Sequence, residues 1–474
     1  MNNNILQALK MGNIKALVAS FIYFDTGFSI WLLFGVLAPF ISQEMHLSAV
    51  QKGFLVAVPV LSAAILRLNF GYMYQSINGK NIALIGIALS SIPSIYILTF
   101  QHNLTYSTLL SLGVFLGIGG ASFAVALPMA GSNYPKEVQG LVLGIAAAGN
   151  IGAVLDGILF PSIAKFFGWK EAMGMANILL IIAFLLVILW AKDSNKKDGN
   201  GYYPAGIFIV TLFFMLFLVQ ALYNGWIGIK GKEALLLLPL IGSSFVLVLL
   251  PNRYKRVFLE KDTWIMALIY SITFGGFVGM SSYVSLYLID QYGFSKITAG
   301  AIMSFLAFVG AFIRPFGGHI ADRISGVRAL LFILLGISAM YFTLAFVKFT
   351  PTFGVLALVF IFAFFGLGNG ATFQLVAQRW PKIGGLMTGI IGAAGGFGGF
   401  YLPTVLGIVK DTTKTYSSGF LIFGVISFIA LMTLRLVHSE WMEWASVRYD
   451  YENDVLTGIA PDGRVVMEFI HMED

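Results

Sequence analysis

Residues 54–80, FLVAVPVLSAAILRLNFGYMYQSINGK, set one arginine, Arg67, in the middle of a stretch otherwise apolar enough to span a bilayer. An arginine at the membrane centre costs about 3 kcal/mol on insertion scales and on the order of 10 kcal/mol or more in simulations, so it persists where it faces a cavity, a partner or a substrate. The arrangement occurs twice. Residues 302–328, IMSFLAFVGAFIRPFGGHIADRISGVR, carry Arg314, and in both copies glycines follow 4 and 12 residues later: Gly71 and Gly79 after Arg67, Gly318 and Gly326 after Arg314. The chain therefore reads as a duplication with one arginine per half, both placed to meet at a shared central site.

Composition agrees with a membrane chain. Of 474 residues, 58% are hydrophobic and 11% charged, and the mean hydropathy is +0.86. A soluble globule carries about a quarter charged residues, so that class is excluded. With no cysteine, disulfides, thiolate metal sites and iron–sulfur clusters are excluded too, and no cofactor or metal is expected. The formal charge of +7 needs no nucleic acid to explain it in a membrane protein, where basic residues gather in cytoplasmic loops. The lead MNNNILQALKMGNIK is short and polar, without the small-residue cleavage site of a signal peptide.

Apolar runs of membrane-spanning length begin at Ala16, Gly53, Ile82, Ser107, Gly140 and Ala172, and again at Trp264, Ile297, Ala329, Phe353, Gly384 and Phe420. These are two bundles of six, residues 1–192 and 263–437. Between them, in the linker 193–262, residues 203–223 and 234–250 form two more apolar runs with no counterpart in either half. They read as an inserted hairpin, giving about fourteen spans, with a re-entrant or surface-lying pair as the alternative. Placing the N-terminus inside puts about twice as many lysines and arginines on the cytoplasmic side, which predicts both termini in the cytoplasm. The tail, residues 438–474, turns polar and acidic. Its VLTGIAPDGRVVMEF, two apolar stretches around Pro-Asp-Gly, reads as a small hairpin or as a loosely ordered tail.

Duplicated six-span halves with glycine-punctuated second spans are the architecture of major facilitator transporters, whose substrate sits between the halves. Gly318, Asp322, Arg323 and Gly326 resemble that superfamily's loop after the second span, and Gly71, Gln75, Ser76 and Gly79 a degraded copy. A more specific signal lies in two glycine-rich spans in equivalent places. GLVLGIAAAGNIGAVLDGILFP (residues 140–161) holds Gly144, Gly149 and Gly152, and GLMTGIIGAAGGFGGFYLP (residues 385–403) holds Gly389, Gly395 and Gly398. YPKEVQG and WPKIGG precede them. Small residues at such spacing also serve plain helix packing. With their flanks, however, the two stretches resemble the signatures of the nitrate/nitrite porter family. The resemblance covers the twelve core spans and leaves out the hairpin and the tail.

The resemblance implies an all-α major facilitator fold in which Arg67 and Arg314 grip the anion from either half. Asn150 would donate a hydrogen bond to it, and Phe123, Tyr270 and Phe274 would close the site. The chemistry points the same way. Nitrate is flat, monovalent and weakly hydrated, so a planar guanidinium fork matches its oxygens in pairs while aromatic faces cover its plane. Asp25 and Asp156 depart from the simplest family pattern, which has no titratable carboxylate on the pathway. They read as a proton site, with Asp25 as a counter-charge to Arg67, or plain contact with cavity water, as the alternatives.

The expectation is thus a monomeric inner-membrane transporter of nitrate and nitrite in a lipid bilayer. Proton-coupled uptake is slightly favoured over nitrate/nitrite exchange. Phosphate or sulfate, more strongly hydrated, would want more donors than a glycine-rich, phenylalanine-lined site offers. A membrane enzyme would need a nucleophile or cofactor motif that the sequence lacks, and a sensor a larger appended domain.

Overall fold

The computed structural model describes residues 7, 9–135, 138–197, 199–226, 232–380, 383–445, 447–450, 455–459 and 465–469. Span one is α1 (Ile14–Glu44), begun by Asn13, whose side chain accepts from the Ala16 N–H. Span two is α2 (Ala49–Ser76), begun by a reciprocal Ser48–Gln51 capping box. Such caps satisfy N–H groups that the first helical turn leaves unpaired. Span three breaks next to Pro93 into α3 (Gly79–Ser90) and α4 (Ile92–Thr99). Span four breaks at Ser122 into α5 (Tyr106–Ala121) and α6 (Phe123–Gly131). Span five is α7 (Gln139–Ala147), a 3₁₀ turn (Ala148–Ile151) and α8 (Gly152–Phe167). Span six is α9 (Trp169–Trp190).

The linker holds α10 (Tyr202–Tyr223), α11 (Leu238–Leu249) and the short α12 (Asn252–Arg256). The second six spans follow as α13 (Lys261–Tyr292), α14 (Lys296–Ile324), α15 (Gly326–Phe346), α16 (Pro351–Arg379), α17 (Gly384–Thr413) and α18 (Ser417–Leu436). A short α19 (His438–Ala445) leads into an antiparallel sheet of β1 (Val447–Asp450), β2 (Val455–Ile459) and β3 (Val465–Phe469).

Among the described residues, thirteen stretches are long and apolar enough to cross a membrane. The second arm of the inserted hairpin, Ala234–Leu249, falls short, so the expected fourteen spans become thirteen and one stub. At 1.5 Å per residue a helix needs about 20 residues for the hydrocarbon core, and this arm spends its start on a 3₁₀ turn, Lys232–Leu237. The hairpin is fastened to the first bundle. Thr211 donates to Asn69 Oδ1 at 3.3 Å, and Gln220 donates to Ser111 Oγ at 2.7 Å and to the Ser107 carbonyl at 2.8 Å. It also reaches the second bundle, where the Tyr401 hydroxyl donates to the Leu236 carbonyl at 3.2 Å. In the tail, β2 and β3 pair as the predicted hairpin; its Pro-Asp-Gly turn lies outside the described residues, as do parts of the YPKEVQG and WPKIGG flanks.

The bundles meet along three seams, α2 on α17, α8 on α14 and α1 on α13. Small residues make the approach close. A Cβ on Gly53 would sit 2.6 Å from the Pro403 carbonyl oxygen, one on Gly396 2.5 Å from Ala64, one on Gly300 2.5 Å from the Gly157 carbonyl, and one on Gly35 2.7 Å from the Ser282 carbonyl. Polar contacts that cross between bundles include Arg67 to Gly392, Lys52 to Asp290 and Lys296 to Gln43. All lie at the centre or toward the far end, the end opposite the N-terminus. At the near end each bundle is instead tied to itself. Asp193 accepts from the Gly79 N–H (2.7 Å) and Tyr74 (2.9 Å) and pairs with Lys197 (2.6 Å). Asp262 accepts from Arg379 (2.6 Å) and from Trp441 of α19 (2.8 Å). The molecule is closed at the far end.

Candidate functional site

Arg67 projects from α2 into the centre and is 2% exposed. The guanidinium is held on both sides. Its Nε donates to the Gly120 carbonyl at 2.9 Å, where span four breaks, and its Nη1 donates to the Gly392 carbonyl of α17 at 3.0 Å. Its Nη2 is buried with no partner. Three rings surround it: Trp31 at 4.9 Å, Phe274 at 5.3 Å and Phe123 at 5.5 Å from the guanidinium carbon. Each face of an aromatic ring is electron-rich, so such contacts favour the cation, by about 2 kcal/mol when desolvated.

Arg314 enters from α14, half-buried, and lies over Phe373 at 5.8 Å. It stands within electrostatic reach of the Tyr270 hydroxyl and of Arg67. Its Nη1 is also buried without a partner. Tyr270 stacks on Phe274, ring centroids 5.1 Å apart, and Phe373 packs edge-on against Tyr270 at 4.9 Å and tilted against Phe123 at 6.4 Å. The structure thus brings Arg67, Arg314, Phe123, Tyr270 and Phe274 together. It adds Trp31, Phe373 and two backbone carbonyls that sequence reasoning missed. Carbonyls leave no mark in a sequence, and Trp31 stands in span one among ordinary apolar residues, Ile30 and Leu32.

Neither arginine has a carboxylate partner among the described residues. Asp25 does not serve as a counter-charge to Arg67. It accepts from the Gly152 N–H at 2.6 Å, capping the first residue of α8, where the helix dipole favours an anion. The 3₁₀ turn explains the cap, because breaking span five inside the membrane creates a helix start that needs an acceptor. Asp156, 2% exposed, accepts from Ser29 at 2.5 Å and keeps Oδ2 unpartnered. Asn150 lies in the same turn, 3% exposed with its Oδ1 unpartnered, and the turn packs on α1 and touches α14.

The signature glycines separate. A Cβ on Gly149 would meet Phe24 at 2.8 Å, on Gly152 the Asp25 carbonyl at 2.6 Å, on Gly395 the Tyr270 ring at 2.7 Å and on Gly398 the Ser271 carbonyl at 1.9 Å, whereas on Gly389 it would meet nothing within 4 Å. The surroundings of Gly144 lie outside the described residues.

One arginine from each bundle, Arg67 buried and Arg314 half-buried, each with an unpartnered N–H group beside aromatic rings, makes an arrangement whose chemistry suits a small planar anion. Known proteins match most of the chain. The family model of the Major Facilitator Superfamily matches residues 19–403. The "Nitrite extrusion protein" of Bacillus subtilis (strain 168) is 30% identical over 420 residues, covering 88% of this chain and 91% of that protein. The "Probable nitrate/nitrite transporter NarK2" of Mycobacterium tuberculosis is 28% identical, covering 84% and 90%. The "Probable nitrate transporter NarT" of Staphylococcus haemolyticus is 27% identical, covering 85% and 92%. A crystal structure of a POT family transporter superposes with a TM-score of 0.69 at 14% identity, covering 90% of this chain and 96% of that one, which speaks to the fold. The chain belongs to the nitrate/nitrite porter family of the major facilitator superfamily, a family of transporters rather than enzymes.

Proposed function

We propose that the protein moves nitrate and nitrite across the cytoplasmic membrane by alternating access, with the anion held between Arg67 and Arg314. The observation that carries this is the pair itself. Two guanidiniums from different bundles lie at the centre without a carboxylate, each with a buried nitrogen that has no partner. An uncompensated buried charge costs several kcal/mol, and an anion offsets it. The names of the relatives supply the anion. Residues 1–192 and 263–437 are the rocking units, residues 193–262 and 438–474 the attachments, and the transporter works as a monomer. With both termini cytoplasmic, the far end is external and this conformer opens inward. Nitrate-specific flux in proteoliposomes tests the reading. Equal flux of sulfate or phosphate, or none of nitrate, would overturn it.

Trp31 offers a finer check. It is the ring nearest Arg67, and its own Nε1 is fixed on the Pro59 carbonyl at 2.9 Å. Trp31→Leu should raise the nitrate concentration for half-maximal uptake about 30-fold, the scale of one desolvated cation–π contact of about 2 kcal/mol, with expression unchanged. Unchanged concentration dependence would remove Trp31 from the site.

On coupling, the geometry favours exchange over the proton-coupled cycle. Asp25 is occupied as a helix cap, and the empty site keeps two positive charges, so the carrier returns loaded. Proton coupling retains one support, the unpartnered oxygen of Asp156. Uptake should therefore require nitrite inside the vesicles, ignore an acidic exterior, and persist in Asp25→Asn and Asp156→Asn. Uptake into nitrite-free vesicles driven by external acid, and lost in Asp156→Asn, would reverse the assignment.

A further inference from the structure

Arg67 spends one of its donors on the opposite bundle. The Nη1 to Gly392 bond joins α2 to α17 at the inner edge of their seam. Toward the far end, that seam is packed through Gly396 on Ala64, Gly399 on Val60 and Gly53 on Pro403. Opening the far end must part these helices and break the bond. An anion gripped by the end of the guanidinium fork engages Nη1 and Nη2 together, and so competes with the Gly392 carbonyl for Nη1. The Gly120 carbonyl, on the same bundle as Arg67, keeps Nε in place throughout.

We infer that Arg67 is a latch as well as a ligand: without anion its bond to Gly392 holds the far end shut, and a bound anion releases it. This rests on the reading of Arg67 as the anion's ligand. The carbonyl is well suited to the role, because it offsets part of the buried charge while the site is empty, yet as a neutral acceptor it yields to an ion. An empty carrier then stays closed at the far end, and the cycle proceeds only when loaded.

The absence of native cysteine makes the test direct. In the full chain, His102→Cys and Lys348→Cys place spin labels on exposed far-end turns of opposite bundles, and their distance distribution is measured in nanodiscs free of nitrate and nitrite. The parent pair should show the closed far end. Adding Arg67→Gln should raise the open fraction at least about tenfold, the scale of one hydrogen bond to a charged group. Arg314→Gln removes an equal charge but not this bond and should leave the far end closed. If Arg67→Gln does not yield monodisperse protein, Arg67→Lys is read the same way, since one ammonium cannot span both carbonyls. An unchanged distribution in the Arg67 variant, or equal opening by Arg314→Gln, overturns the latch. Nitrate should open the parent pair. If nitrate leaves it closed while the Arg67 variant opens, the latch stands and the nitrate reading falls.

Discussion

Replacing either central arginine with lysine is expected to cut nitrate uptake by at least about 100-fold while leaving the protein in the membrane, since two hydrogen bonds to a charged group at about 1.5–3 kcal/mol each are lost or misplaced. Lysine keeps the charge, so the loss isolates the fork. Arg67 offers three nitrogens: Nε anchors on Gly120, Nη1 bonds Gly392 in the empty site, and Nη2 is unpartnered, the last two being the pair an anion would engage. A lysine ammonium is a point charge on a flexible stem and meets one of these demands at a time. It also forfeits the flat stacking among Trp31, Phe123 and Phe274. At Arg314, lysine would lose the combination of Tyr270, Phe373 and a free Nη1. Uptake into proteoliposomes at matched protein amounts, with size-exclusion profiles as the folding control, measures the effect. Near-normal transport by either variant removes the central claim.

The arginines were legible in the sequence because a charge inside an apolar span has few explanations, and because Gly79 and Gly326 recur at the same distance from them. Both of those glycines are tight in the structure, since a Cβ on Gly79 would lie 2.7 Å from Tyr74 and one on Gly326 2.5 Å from Gln374, while the other matched pair is open, a Cβ meeting nothing within 4 Å at Gly71 and its nearest atom at 3.9 Å at Gly318. The surroundings of the aspartates were not legible, for a different reason. Hydropathy places Asp25 and Asp156 inside spans but does not show that span five breaks at Ala148–Ile151, and without that break a helix start within the membrane, and a cap for it, are invisible. The hairpin stub is a similar case, since apolar length is read from composition while the 3₁₀ start that shortens the helix is not. Trp31 and Phe373 needed the relative rotation of helices on different bundles, which no local pattern encodes.

The glycines of α17 should behave oppositely despite their shared spacing. At Gly398 a Cβ would lie 1.9 Å from the Ser271 carbonyl oxygen and 2.7 Å from its carbon, and that contact is backbone, which cannot rotate away. The facing glycine of α13, Gly275, is pressed too: a Cβ there would lie 2.7 Å from Gly398 Cα. Relief requires α13 to move, and Tyr270 and Phe274 flank Ser271 on that helix, so any shift displaces the stacked rings beside the arginines. At Gly395 the obstruction is those two rings themselves, at 2.7 and 2.8 Å. Overpacking of this kind costs about 1–3 kcal/mol for a single added group and more for a branched one. Gly398→Ala should therefore lower transport at least about tenfold, near 1.4 kcal/mol, and Gly395→Leu and Gly149→Leu should block it with both arginines intact. Gly389→Ala, with nothing within 4 Å of the new carbon, should stay within about twofold of the parent, as expected where no group is displaced. Equal losses at 389 and 398 would mean that general helix flexibility, and not the closeness of α13 and α17, is what these glycines supply; ordinary kinetics for Gly398→Ala would mean the seam yields without disturbing the site.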